Sequence, residues 1–198
     1  MGLGTLLASQ NGHLARRFGL RPSIATALLS GVCGAALLLG VTGASANDDC
    51  VFDNDTITCS GDQSQGIVGA EPYTSLYVLE LSGDISPTDA TAIRFDSEGP
   101  VAVFSNTGEH AINVTGDGHG IHVTTYGDET SAIVEHVGDI SVESGSGVIV
   151  ESWAGSASTT TGNIVSKGDA IRVKSAISGR ANATHTGDLQ SAEGYGMS

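Results

Sequence analysis

The feature that most limits how this chain can fold is a weak internal repeat of about 24 residues. Gly138-Asp139-Ile140, Gly162-Asn163-Ile164 and Gly187-Asp188-Leu189 recur at intervals of 24 and 25, and Gly83-Asp84-Ile85 is an earlier copy. A second piece lies between these markers. Gly120-Ile121-His122-Val123, Gly147-Val148-Ile149-Val150 and Ala170-Ile171-Arg172-Val173 align at intervals of 27 and 23. Ala92-Ile93-Arg94-Phe95 and Ala111-Ile112-Asn113-Val114 share its pattern. A third piece precedes each later marker: 132–137, 156–161 and 181–186. Three short β-prone segments per period, punctuated by Gly and lacking helical periodicity, predict a right-handed parallel β-helix in which each repeat is one coil. A propeller blade needs ~40 residues and four strands, more than this period holds. Sandwich strands do not recur in register along a sequence.

Stacking coils at ~4.8 Å turns this alignment into geometry. Ile121, Val123, Val148, Val150, Ile171 and Val173 are expected to face one continuous core, which has room for roughly five coils from about Tyr77 onward. Asp139, Asn163 and Asp188 should form one column at a turn, where Asp and Asn are favoured by their tolerance of turn geometry. His136 and His185 should share a column with Thr160 between them, too far apart to share a metal. Glu151 and Lys174 should neighbour each other as an exposed ion pair of small energy.

Composition supports the β reading. There are 28 Gly, while aromatic residues make up 5% of the chain. Charge is unevenly placed. All 22 acidic residues follow Ala46, and three of the eight basic residues (Arg16, Arg17, Arg21) precede it, leaving five against 22, or −17, for residues 47–198. Phosphate neutralisation needs clustered Lys and Arg, so this balance argues against nucleic acid as a partner.

The first 46 residues have the three-part layout of a secretory signal. Arg16, Arg17 and Arg21 form a basic region, residues 24–41 are apolar and uncharged, and Ala44-Ser45-Ala46 precedes Asn47-Asp48-Asp49. Cleavage is expected between Ala46 and Asn47. A membrane anchor is the alternative, but Gly31, Gly34, Gly40 and the Ala-Ser-Ala site favour cleavage. Cleavage leaves two cysteines, Cys50 and Cys59, flanking two β-prone arms around Asp53-Asn54-Asp55. An exported chain meets an oxidising compartment, so a disulfide-stapled hairpin over residues 47–70 is expected ahead of a β-helix over 71–198. A metal site would want more ligands at shorter spacing.

No motif in the sequence specifies catalysis. Carboxylates are scattered: Asp53 and Asp55 at the hairpin tip, Asp128 and Glu129 in a Gly-rich loop. Nothing in the spacing of Asp117, Asp128 and Glu135 forces them to converge. The Gly116–Gly120 stretch lacks the Lys of a phosphate loop. Neither a cofactor nor a resident metal is expected. Trp153, the only Trp, flanks a turn, where packing on a neighbour is the expected role and stacking on a sugar the alternative.

The stretch Asn47-Asp48-Asp49-Cys50 to Cys59-Ser60-Gly61-Asp62-Gln63-Ser64-Gln65-Gly66-Ile67 resembles the start of many autotransporter passenger domains, which open with a short cysteine hairpin and continue into β-helix coils. The Gly-Asp-Ile and Gly-x-Ile-x-Val repeats resemble that family too. The resemblance implies a non-catalytic surface-exposed or secreted module, adhesive or structural, with an outer-membrane translocator barrel as partner and a host-surface or glycan ligand. The alternative is a polysaccharide-binding or polysaccharide-cleaving β-helix. The resemblance implies a cell-surface or extracellular location when the chain is joined to a barrel, and a periplasmic one otherwise. A barrel needs roughly 250 further residues, so the chain reads as an N-terminal piece, expected to self-associate through the open edge of its last coil.

Overall fold

In a strand, successive side chains point to opposite faces, so the alternating Ile and Val positions place one row inward at every coil. The computed structural model describes residues 49–177 and 179–198. The signal segment and its Ala46–Asn47 junction lie outside the described residues. These contain no helix. Their strands are β1 (Cys50–Asp53), β2 (Thr56–Gly61), β3 (Ile67–Ala70), β4 (Ser75–Leu81), β5 (Ile93–Ser97), β6 (Val101–Val114), β7 (Ile121–Thr125) and β8 (Ser131–Val142). They continue with β9 (Val148–Ser152), β10 (Gly155–Thr161), β11 (Ile164–Ser166), β12 (Ile171–Ser175), β13 (Ala181–Thr186) and β14 (Leu189–Ser191).

The described residues form an all-β parallel solenoid of about five turns. One sheet runs β1-β2-β4-β6-β8-β10-β13, with β11 and β14 continuing from β8, and the other runs β12-β9-β7-β5-β3. Every pairing is parallel except β1 with β2. Each coil has three faces. The first is built from β2, β4, the leading halves of β6 and β8, β10 and β13. The second comprises the trailing halves of β6 and β8, then β11 and β14, and the third is the five-stranded sheet. The stack already begins with β2 and β3, which pair in parallel with β4 and β5. That is ahead of Tyr77, where the sequence pattern first becomes visible.

The register follows the repeat. Ile93, Ile121, Val148 and Ile171 stack in one column, and Ile140, Ile164 and Leu189 in another. Ile121, Val123, Val148, Val150 and Ile171 are completely buried and Val173 is nearly so. One grouping differs. Ala111–Val114 belongs to the second face, where Ile112 pairs with Ile140, and not with the third-face piece whose letters it shares. Alternation dictates which residues point inward; the bend near Gly108 dictates which face they join.

The turn column is a hydrogen-bonded ladder between coils. Asp84 Oδ1 accepts the Ala111 N–H at 2.9 Å, Asp139 Oδ1 that of Asn163 at 2.7 Å, and Asn163 Oδ1 that of Asp188 at 3.2 Å. Each side chain thus satisfies a backbone donor of the following coil.

At the other end, the β1–β2 hairpin turns through Asn54, whose φ of 52° an Asn side chain tolerates. Cys50 and Cys59 lie directly opposite across it and are disulfide-bonded, with Cα atoms 4.0 Å apart. Cys59, on β2 of the first coil, is fully buried in the core, so the staple ties β1 to the solenoid.

The interior changes character along the axis. First-face core positions run from Leu76 and Val78, through Val103 with Ser105 and Val134 with His136, to Ser158 and Thr160, all buried. Ser105, His136, Thr160 and His185 form one column, as the repeat requires. His136 Nε2 donates to Gly138 O at 3.2 Å, while its Nδ1 is buried without a partner. Burial lowers the His136 pKa to about 4, against the smaller opposing effects of Gly138 O and Asp139. The unfolded chain takes up this proton near pH 6.5. Between pH 6.5 and 4 the unfolded state therefore binds more protons, and stability falls with pH across that window by on the order of 3 kcal/mol. Urea unfolding at pH 7 and pH 4 should show this loss, and His136→Gln should largely abolish its pH dependence. An equal acid-side loss in the variant would assign it to other groups.

Candidate functional site

The outward positions of the third face gather most of the chemistry of the molecule. Alternation on β5, β7, β9 and β12 sends Arg94, His122, Ile149 and Arg172 outward in one column, and Asp96, Thr124, Glu151 and Lys174 in the next. Three of the five Lys and Arg residues within 47–198 are therefore on this single face.

These charges engage one another. Arg94 Nε pairs with Asp96 Oδ2, and Arg172 Nη2 lies 3.4 Å from Glu151 Oε1. Glu151 and Lys174 are register neighbours, as expected, but the ion pair Glu151 makes is with Arg172, whose longer guanidinium reaches it diagonally from two residues earlier on β12. Both groups are partly exposed, so the pair orients the carboxylate more than it stabilises the fold. His122 Nε2 and Thr124 Oγ1 share a hydrogen bond of 3.1 Å. His119 Nδ1 accepts the Ser146 N–H at 3.0 Å, and its ring meets His122 edge-on at 5.4 Å. Desolvation lowers both histidine pKa values, with mutual repulsion adding to the effect at His119, so both rings are neutral at neutral pH.

Where β7 and β9 leave the face, Tyr126 and Trp153 follow at equivalent places on adjacent coils. Tyr126 is 58% exposed and Trp153 38%. The Tyr126 hydroxyl donates to Asp96 Oδ1 at 3.4 Å. Together with Thr124, Glu151, Lys174 and Ala176 the two rings line a groove of about 230 Å³. Trp153 thus faces an open groove and also lines a neighbouring depression together with Asp128, Glu129 and Ile177. The pairing of Tyr126 with Trp153 is a residue match the sequence reading missed. Its signal was present: the two are 27 residues apart, the same interval as Gly120 to Gly147.

The scattered carboxylates stay scattered. Asp117 lies between β6 and β7, where its backbone N–H donates to Asp89 Oδ1 at 3.1 Å. Asp128 sits between β7 and β8. Glu135 points outward on the first face, between Phe104 and Thr159. Asp53 and Asp55 flank the hairpin turn. Among the described residues, no three His, Cys, Asp or Glu side chains gather as a metal ion would need. The arrangement can stack on a flat ligand and exchange hydrogen bonds with it. Comparison with protein families, with curated proteins and with solved structures returns no match.

Proposed function

We propose that the chain is the right-handed solenoid of an autotransporter-like exported protein, serving as a non-catalytic structural or adhesive module displayed at the cell surface through a translocator barrel. The observation that carries this reading is the disulfide-closed hairpin that feeds directly into parallel coils. A bonded cysteine pair belongs in an oxidising compartment, and the export layout of residues 1–46 agrees with it. Solenoids also suit the role physically: each coil contacts only its neighbours, so the fold presents a long repetitive surface. A non-catalytic role is favoured by the arginines of the third face, each matched by a carboxylate (Arg94 with Asp96, Arg172 with Glu151), which leaves Lys174 as the one unpaired charge at the groove among the described residues.

The test is to join residues 1–198 to an outer-membrane barrel in a Gram-negative host. Expected are an N-terminus at Asn47, no free thiol at Cys50 or Cys59, and removal of the solenoid by protease added to intact cells. A chain that retains residues 1–46, or a solenoid shielded inside the cell, would overturn the proposal. The runner-up, a polysaccharide-binding or polysaccharide-cleaving protein, has one observation in its favour: the open Tyr126–Trp153 groove.

A further inference from the structure

We infer that the Tyr126–Trp153 groove binds an extended, uncharged oligosaccharide of the flat β-linked glucan kind. The inference deepens the adhesive reading and rests on it for its biological setting, while its chemistry stands on the groove alone. A pyranose with equatorial hydroxyls has apolar C–H faces and a polar rim. It is recognised by aromatic plates beneath the ring and fixed hydrogen-bonding groups at its edge. Both are present. Tyr126 and Trp153 expose their rings on adjacent coils, and the row continues to Ala176 on the next coil, whose methyl leaves the track open. The coil repeat of ~4.8 Å makes this row linear, which suits a ribbon-like chain better than a branched or coiled one.

The polar groups are held ready. Thr124 is oriented by His122 and Glu151 by Arg172, so little side-chain freedom is lost when a ligand binds. Two donors are free for hydroxyls: among the described residues nothing accepts from the Trp153 indole N–H or the Lys174 ammonium. Charge selects the ligand class. The arginines of the face are matched by Asp96 and Glu151, and carboxylates flank the aromatic end, Glu98 with Tyr126 and Asp128 and Glu129 with Trp153. A polyanionic glycan would meet these carboxylates; an uncharged one meets no such repulsion.

Trp153 is the only Trp, so its fluorescence reports on the groove directly. Titrating the exported chain with cellohexaose should give a saturable change with a Kd at or below about 1 mM. Tyr126→Ala, which keeps the reporter, should weaken binding about tenfold or more, and Trp153→Ala should remove the calorimetric signal. If either aromatic variant loses its fold by circular dichroism, Lys174→Ala, at an exposed position, serves instead, with an expected loss of about threefold. No saturable change up to about 10 mM, binding indifferent to these substitutions, or tighter binding of polygalacturonate than of cellohexaose would each overturn the inference. None of these outcomes touches the display assay, which needs no sugar, and a failed display assay leaves the titration intact.

Discussion

Replacing Phe95 with alanine should destabilise the solenoid by about 3–5 kcal/mol, the range for truncating a well-packed core aromatic. Phe95 points inward from β5 and is fully buried, stacked in register between Gly69 on β3 and Val123 on β7. Its ring fills the space that Gly69 leaves empty: a Cβ on Gly69 would come within 2.3 Å of the ring. The two positions are therefore one packing unit across coils. Gly69→Ala alone should also destabilise, while the double variant should lose less than the sum of the two, with a coupling of about 0.5–3 kcal/mol. Denaturant unfolding of the four proteins reads this directly. A Phe95→Ala loss below about 1 kcal/mol, or strict additivity, would mean that the ring is not seated as described.

The second large effect is expected at Gly162. Its φ of 121° lies where side chains are strained, and a Cβ there would sit 2.1 Å from the Gly138 carbonyl oxygen of the preceding coil. Gly187 repeats the arrangement on Gly162, with a φ of 128° and the same 2.1 Å approach. Backbone strain of about 1–3 kcal/mol combines with a contact that only movement of a neighbouring coil can relieve. Gly162→Ala should therefore lower stability by roughly 3 kcal/mol or more, a drop in Tm of roughly 6–12 °C for a chain of this size. Gly83 is the internal control. It belongs to an earlier copy of the same triplet, yet a Cβ there would meet nothing within 4 Å, so Gly83→Ala should stay within about 0.5 kcal/mol of the parent. Equal melting of the two variants would refute the stacked-glycine account.

These two glycines also mark the limit of what could be read from the sequence. Register was legible because, in a solenoid, the spatial neighbour of a residue is its own equivalent one period away. Ile121, Val148 and Ile171, and Asp139, Asn163 and Asp188, could be aligned by letters alone. Letters could not separate faces: Ala111-Ile112-Asn113-Val114 spells the same in–out–in pattern as Ala170-Ile171-Arg172-Val173, and a backbone bend decides between them. Nor did the triplet at Gly83 reveal that its glycine is unconstrained, since that depends on what lies in the neighbouring coil. The site was half visible. The column placing Glu151 beside Lys174 followed from the repeat, but its ion pairing depended on the reach of Arg172. Trp153 stands out in the sequence as the single Trp, whereas Tyr126 lies just past the end of β7, outside the segments that the alternating pattern marks.

The drift of the interior from methyl groups to hydroxyls gives the solenoid an order of melting. Adjacent coils are joined by similar backbone ladders, so apolar burial sets the differences between their interfaces. Around Leu76, Val78, Ile93 and Phe95 that burial is dense, while β10 contributes Ser156, Ser158 and Thr160, and β11 contributes Ser166 beside a single isoleucine, Ile164. Under heat or tension the molecule should unzip from the β10–β14 side while the disulfide-stapled coils hold. Amide protons would exchange in that sequence, each coil opening before the one that precedes it in the chain. Tyr126 sits just past the end of β7 and Trp153 just before β10, so a ligand lying across both rings would act as a clasp at the seam between the firm and the yielding halves.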